Sequence, residues 1–558
     1  MSRLAKWSRR SLVALGLVAV MVGWIAAQEP VDLRETRSSR SSSKRRVETD
    51  PVDARFSEME QVIAEQAERQ AELERRLIET EAELAQEKGQ DDASKPKEEK
   101  KDEKKEEPKK EEKKEEKKED PLKMSATYKN GLVLETADKN FKVHIGGRTQ
   151  IDTVFLDSSP AFTGAGGAGD ADAVDFRRAR LRIDGVFYEV YDFAAEYDFA
   201  NSVNDNVGLQ PPTQNVGNLG NPNVIHLPAM TDLWWGMKEV PFVGNIRFGN
   251  MKEPMGLEHL ASSRYLDFME RSFLQDAFFG PFNNGFTPGI MMYNANEEQT
   301  VTWQGGLFKN TQNVFAYGLG DGELALTGRT TFLPYFDDSD GTQRLLHFGF
   351  SGSIRDPDEG VVRYRSRASL RNGPGAFNPV LAETGTFFAD QVQMAGVEAA
   401  LNLGPLLVQA EYYGANNTNA VNLARTVNFG DVFVQGYYIE SLYFLTGEFR
   451  EYDRKGGDFG RKPVTPCENF FWREKDGCRY FGPGAWQVGV RYAKLDLDNS
   501  GLDGGTIQDV TVGVNWFWNP NVKWQFNYVL TVRDAPAAVG NAGDGTIHGF
   551  GMRFAHDF

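Results

Sequence analysis

The chain has 558 residues, 80 Asp and Glu against 63 Lys and Arg for a formal net charge of -17, and two cysteines. That length allows several ordinary domains or one large domain with appendages, and no nucleic-acid partner is expected. Beyond residue 30 no uninterrupted apolar run approaches the roughly 20 residues a transmembrane helix needs, which excludes an ordinary helical membrane protein.

The first segment, MSRLAKWSRRSLVALGLVAVMVGWIAAQEP, joins a basic start (Arg3, Lys6, Arg9, Arg10) to an apolar run from Leu12 to Ala27. Residues 1–27 read as a secretory signal peptide cleaved after Ala27, with an N-terminal membrane anchor as the alternative. Either way the mature chain leaves the cytoplasm. Residues 28–50 are rich in Ser and Arg without periodicity, and read as a flexible lead.

Over residues 51–88 a heptad emerges. With Phe56 at position a, later a positions hold Ile63, Gln70, Leu77 and Leu84, and d positions hold Met59, Gln66, Leu73 and Thr80. This predicts a short coiled coil, and with it self-association; a lone amphipathic helix is the competing reading. Residues 89–123 form a charged spacer. Its stretch from 95 to 120 carries twelve Lys and twelve Asp or Glu in a KKEE repeat that sets like charges at i and i+4. Local electrostatics thus give a helix little support, and a solvated, extended spacer is expected. Contact with the cell wall through residues 51–122 is the alternative role.

From 124 to 558 apolar and polar residues alternate in segments of about ten, separated by loops rich in Gly, Asn and Asp. In HGFGMRFAHDF, Phe550, Met552, Phe554 and Phe558 share a face; in VKWQFNYVLTVR, Trp524, Phe526, Tyr528 and Leu530 do. Such a face is the inside of a soluble sandwich or the lipid-facing outside of a membrane barrel. Four observations favour the barrel. Apolar faces end in Trp, Tyr or Phe, as interfacial belts would. The chain ends in Phe558, which resembles the C-terminal signal of outer-membrane barrels. Short connections (403–405, 519–521) alternate with long ones. The polar face is too charged and too sparsely apolar to build a dry core.

The predicted fold is therefore all-β: a transmembrane antiparallel β-barrel of about 16 strands, with an N-terminal periplasmic coiled-coil helix. An even strand count leaves both barrel ends in the periplasm, with the coiled coil and spacer below the membrane. By parity the loop CENFFWREKDGC falls on that side too, and its Cys467 and Cys478 most simply close a disulfide. No nucleophile, His and acid constellation and no metal-spaced cluster accompanies them, so neither an enzyme nor a cofactor or metal is expected.

Alternation also sorts FRRARLRIDG. Ala179, Leu181 and Ile183 point to lipid, and Arg178, Arg180, Arg182 and Asp184 to the lumen, leaving Arg177 out of phase at a strand end, on a bulge or bent inward. The preceding strand, FKVHIGGRTQIDTVF, adds Arg148 to the same wall. Arginine keeps its charge and offers a planar fork that fits phosphate and carboxylate oxygens, so a ladder of it in a pore selects anions.

The motifs FKVHIGGRTQID, FRRARLRIDG with YDFAAEYDFA, IRFGNMKEPMGLEHLASSRYLDFMERS, YFLTGEFREY, GAWQVGVRYAKLDLD and VGVNWFWNPNVKWQFNYV, in this order, resemble the phosphate-selective porin O and P family. The resemblance covers residues 125–558. It implies a homotrimer of 16-stranded barrels in the outer-membrane lipid, each with an anion channel narrowed by a third loop at 251–283. It further implies constriction arginines at Arg148, Arg177, Arg178 and Arg271, and an aspartate near the anion at Asp232. Three departures stand out: His259 replaces a family lysine, Arg180 and Arg182 lie outside the family signature, and residues 124–558 hold 35 Lys and Arg against 50 Asp and Glu. The expected function is passive diffusion of small anions such as phosphate or polyphosphate. The alternative is a weakly selective porin whose N-terminal segment tethers the outer membrane to the cell wall.

Overall fold

Alternation at period two commits every strand to one apolar and one polar row, and such a sheet is stable only if the two rows meet different surroundings. The computed structural model describes residues 123–558 except 160–171, 201, 205–223, 227, 280–284, 311–323, 372–377, 379, 461, 474–478, 500 and 536–542. The expected signal peptide, flexible lead and coiled coil, and the spacer up to residue 122, lie outside the described residues. No helix among them is long and apolar enough to cross a membrane.

Sixteen antiparallel strands form the wall. They are β1 (Phe141–Ser158), β2 (Ala173–Phe187), β3 (Tyr191–Asp198), β4 (Ala229–Val240), β5 (Gly244–Met251), β6 (Thr287–Ala295), β7 (Val301–Lys309) and β8 (Leu324–Asp337). The second half comprises β9 (Arg344–Arg355), β10 (Gln391–Leu403), β11 (Leu406–Asn422), β12 (Asn428–Phe444), β13 (Ala485–Asn499), β14 (Leu502–Asn519), β15 (Val522–Asp534) and β16 (Gly545–Asp557). Each pairs with the next, and β16 returns to β1 in register from Ile547↔Ser158 to Asp557↔Arg148. Closure removes both sheet edges, the condition for spanning lipid with strands. An antiparallel hairpin, Met124–Tyr128 with Leu132–Thr136, pairs with the start of β1 through Leu132↔Ile145.

The expected sorting is observed. Leu181 and Ile183 of β2 and Phe155 of β1 are exposed on the outer wall, with Phe550 of β16 half-buried beside Phe155, whereas Arg178, Arg491, Gln525 and Arg553 are buried within the lumen. Phe558 fixes the closing seam: Gly147 N donates to the Phe558 carbonyl at 2.7 Å, and Phe558 N to the Gly147 carbonyl at 3.1 Å. A Cβ on Gly147 would sit 2.4 Å from the Phe558 ring, so the aromatic terminus requires glycine there.

Two expectations need correction. The end that carries the tight turns at Gly404–Pro405 and Pro520–Asn521 also carries a forty-residue connection, 445–484, so the connections at that end are not all short. Its first part folds up into the lumen, where Arg329 of β8 donates to the Gly457 carbonyl at 2.8 Å and Ser262 N donates to the Gly460 carbonyl at 3.2 Å. A dry core does form inside the barrel. Met269, Phe273, Leu274 and Phe278 of the inward loop 252–286, with Tyr364 and Leu370 of the connection 356–390, pack on Tyr413, Val434, Leu495 and Ile507 of the wall. The wall alone is too polar for a core, as expected; the two loops bring the missing apolar surface.

Cys467 is an exposed free thiol, and Cys478 lies outside the described residues, so the expected bridge is not seen. The same connection holds a hairpin, Phe471–Arg473 with Arg479–Phe481, in which Arg473 pairs with Arg479.

Candidate functional site: an arginine-lined channel

Because the loop core fills the side of the lumen against β10–β15, the open space lies eccentrically against β1–β5. A cavity of about 1690 Å³ runs there, lined by Arg365 and Arg367 of the connection 356–390 toward one end and by Lys129 and Pro520 toward the other. Its lining holds sixteen Lys or Arg and eleven Asp or Glu, the reverse of the excess in the whole chain. Clefts focus the field of the charges that line them, so this local balance sets the field inside the cavity more than net charge does.

The wall is built by β2. A bulge between Gln150↔Arg178 and Ile151↔Phe176 leaves Arg177 unpaired, and this turns its side chain inward beside Arg178. Arg177 Nε donates to Glu270 Oε1 at 2.8 Å, and Arg178 donates to Gln150 Oε1 at 2.8 Å with Glu270 3.5 Å away. Arg148 on β1 donates to both Glu196 oxygens, at 2.8 and 2.9 Å, and to Ser263 Oγ at 2.9 Å. Arg180 bridges Glu196 (2.9 Å) and Asp198 (2.6 Å). Arg182 bridges Asp184 (2.8 Å) and Asp232 (2.7 Å).

The sequence-derived arginines therefore do converge on one channel, but the wall residues Arg148, Arg180 and Arg182 already hold carboxylates. Glu196 and Glu270, which the sequence reading did not single out, are the hubs of this pairing. Arg177, Arg178 and Arg553 draw Glu270 well below the ordinary carboxylate range, although its burial alone would raise it.

Across the channel stands the loop 252–286. Its short helix, α1 (Leu257–Leu260), begins at Gly256 with φ 72°, and its first two amide groups donate to the Glu411 carboxyl at 2.8 and 2.7 Å. At the other end the helix offers unsatisfied carbonyls, and two basic side chains take them. Lys252 Nζ donates to the carbonyls of His259 (2.5 Å) and Ala261 (2.8 Å), and Arg271 donates to those of Glu258 (2.9 Å) and Ala261 (2.5 Å). Neither forms a salt bridge with a carboxylate among the described residues. Burial, then the Arg271 charge, hold Lys252 well below the usual lysine range, while Arg271 is lowered by burial to about 10 and stays a full cation at neutral pH.

His259 is placed beside them but acts differently. Its Nδ1 hydrogen-bonds Gln275 Oε1 at 2.8 Å, and its ring stacks on Phe279 at 4.5 Å between centroids. Burial, then the Lys252 and Arg271 charges, hold the imidazole well below its usual range, so it is neutral. Among the described residues no group of His, Cys, Asp and Glu has the arrangement of a metal site.

Residues 143–558 match the family model described as phosphate-selective porin O and P. Porin O of Pseudomonas aeruginosa is 27% identical over 457 residues, covering 77% of this chain and 91% of its own. An uncharacterized protein of Caulobacter vibrioides is 26% identical over 418 residues, 72% of this chain and 71% of its own. Among solved structures, an anion-selective porin from Comamonas acidovorans covers 75% of this chain at 11% identity, spans 100% of its own chain, and has a TM-score of 0.40.

Proposed function

From the premise that this chain belongs to the phosphate-selective porin O and P family, and is thus an outer-membrane channel rather than an enzyme, we propose that it passes small anions through the eccentric basic channel. The observation that carries this reading is that Arg271, with Lys252 beside it, donates to backbone carbonyls and holds no carboxylate in a salt bridge among the described residues, where the channel runs between the loop and the β2 wall. An entering phosphate exchanges hydration for these two groups and for the spare N–H groups of Arg177 and Arg178, which share the single acid Glu270. Arg148, Arg180 and Arg182, each already paired, form a guide rail below that point and bind more weakly. Asp232 tempers the rail through Arg182, and neutral His259 supplies shape rather than charge. Several weak sites in series let an ion enter and leave.

Phosphate or polyphosphate as the preferred ion, a homotrimeric assembly, and a periplasmic N-terminal coiled coil and spacer belong to this proposal. Planar-bilayer recording tests its centre: anion over cation selectivity is expected, with phosphate partly blocking chloride current, and both should fall in Arg271→Ala and Arg178→Ala. Cation preference in the wild type rejects anion selectivity. The tethering alternative separates cleanly, since deleting residues 51–122 should leave conductance intact and loosen the envelope only if that segment reaches the cell wall.

A further inference from the structure

The second part of the connection 445–484 does not enter the lumen. Its hairpin, Phe471–Arg473 paired with Arg479–Phe481, leaves the barrel at the rim that carries the tight turns and presents aromatic side chains in cross-strand pairs. Phe471 and Phe481 have ring centroids 5.0 Å apart, and Trp472 and Tyr480 stack at 5.4 Å. These rings are not covered: Phe481 is 72% exposed, Phe471 49% and Tyr480 38%. A hairpin this short does not support exposed aromatic pairs in water without a further surface to lie on.

What it lies against is set by its root. Phe470 packs edge-on to Trp516 at 4.5 Å and against Trp518 at 5.1 Å, and Phe470 N donates to the Trp518 carbonyl at 2.8 Å. Trp486 and Trp516 both aim their indole N–H at the Pro483 carbonyl, at 3.0 and 2.9 Å, where the chain re-enters β13. Trp486, Trp516, Trp518 and Trp524 belong to the outer, lipid-facing row of β13–β15, and Trp518 and Trp524 continue to Phe554 of β16. The hairpin thus extends the barrel's own aromatic belt sideways.

A second feature lies on the same face as Phe471 and Phe481. Arg473 and Arg479 stand directly opposite each other, with no carboxylate among the described residues paired to either. Like charges at directly opposed positions destabilise a hairpin unless an anionic group lies between them. Aromatic rings at the boundary between headgroups and acyl chains, next to paired guanidinium groups at phosphate height, fit one partner.

We propose that this hairpin is a membrane-surface anchor that docks on the periplasmic leaflet through the face shared by Phe471, Phe481, Arg473 and Arg479, with the two phenylalanines at the acyl boundary and the two arginines clasping lipid phosphates; the leaflet rests on the orientation in the proposed function. The partner is phospholipid, and the contact lies beside the barrel instead of within its wall. The lumenal part of the same connection is then held from below by a segment fixed to the bilayer.

The test uses the full chain with both cysteines replaced by serine, reconstituted in vesicles of phosphatidylethanolamine and phosphatidylglycerol. A nitroxide is placed at Phe481→Cys or, as a water-exposed reference in the β8–β9 turn, at Asp338→Cys. The ratio of oxygen to nickel-chelate accessibility at 481 should exceed that at 338 several-fold and stay unchanged when protein is diluted in lipid. A water-like ratio at 481 overturns the proposal, as does protection that disappears on dilution, which would assign the surface to a second copy of the chain. Native mass spectrometry of Arg473→Glu/Arg479→Glu gives an independent reading: retained phosphatidylglycerol should fall, while unchanged lipid retention rejects the phosphate clasp.

Discussion

Arg553, on the last strand of the barrel, donates to Glu270 on the inward loop at 2.8 Å while its other edge clasps Asp152 of β1 at 2.6 Å. One buried guanidinium therefore joins the closing seam to the loop that narrows the channel. Its remaining N–H group donates to the Met269 carbonyl. Removing one partner of a buried ion cluster leaves the others uncompensated, at a cost of about 3–5 kcal/mol. Arg553→Met should lower the temperature at which the barrel loses its heat-modifiable mobility on gels, and should make single-channel current noisier as the loop loosens. A stable variant with quiet current would show that Asn527, Lys523 and Gln525, which also bind this loop, hold it without the seam.

Glu196 offers the sharpest test of the charge pairing. Glu196→Gln frees Arg148 and Arg180 from their shared carboxylate while keeping the hydrogen-bonding shape. A unit charge at about 4 Å is worth roughly 1 kcal/mol even in water, or about a fivefold change in an ion ratio. Reversal potentials under a KCl gradient should therefore move toward chloride by about that factor. A shift toward potassium would contradict the field assigned to this wall.

Lys252→Met and Arg271→Ala should each weaken phosphate block of chloride current more than Arg180→Ala does, because the last removes a cation already held by Glu196 and Asp198. Equal losses in all three would mean that pairing does not set the order.

His259 gives a prediction in pH. Its folded value is depressed well below the ordinary range, so it stays neutral from pH 8 to 6, and chloride selectivity should not rise through this residue over that interval. The unfolded chain takes up the proton first, near the ordinary value of about 6.5, so stability falls as pH drops through that point. His259→Gln should leave the selectivity profile unchanged and remove that part of the acid sensitivity. His259→Lys, in contrast, should strengthen phosphate block at pH 7.

The barrel was legible because a repeat of two residues is a strong signal whenever lipid and water lie on opposite faces. The same repeat placed Arg178, Arg180 and Arg182 on one wall, and offered a bulge as one of three explanations for Arg177. Carried one strand further, through YDFAAEYDFA, it would have set Glu196 and Asp198 opposite those arginines. Glu196 and Asp198 were thus readable from the same repeat. Glu270 was not readable in this way: it lies on a loop with no period, and only folding brings it to Arg553, 283 residues away. The lumenal core escaped for a similar reason, since Phe273 and Phe278 sit in a loop segment whose destination no strand pattern encodes.

The seam at Gly147 and Phe558 also says something about how the molecule comes to exist. Neighbouring strands elsewhere can zip as local hairpins, but Arg553 and Asp152 are 401 residues apart in sequence. Bringing such distant segments together carries the largest loop-closure entropy in the wall, and contacts of high sequence separation form slowly. Closure is then the slow, committing event of assembly, and a chain truncated by even its terminal aromatic would linger as an open sheet with two unpaired edges.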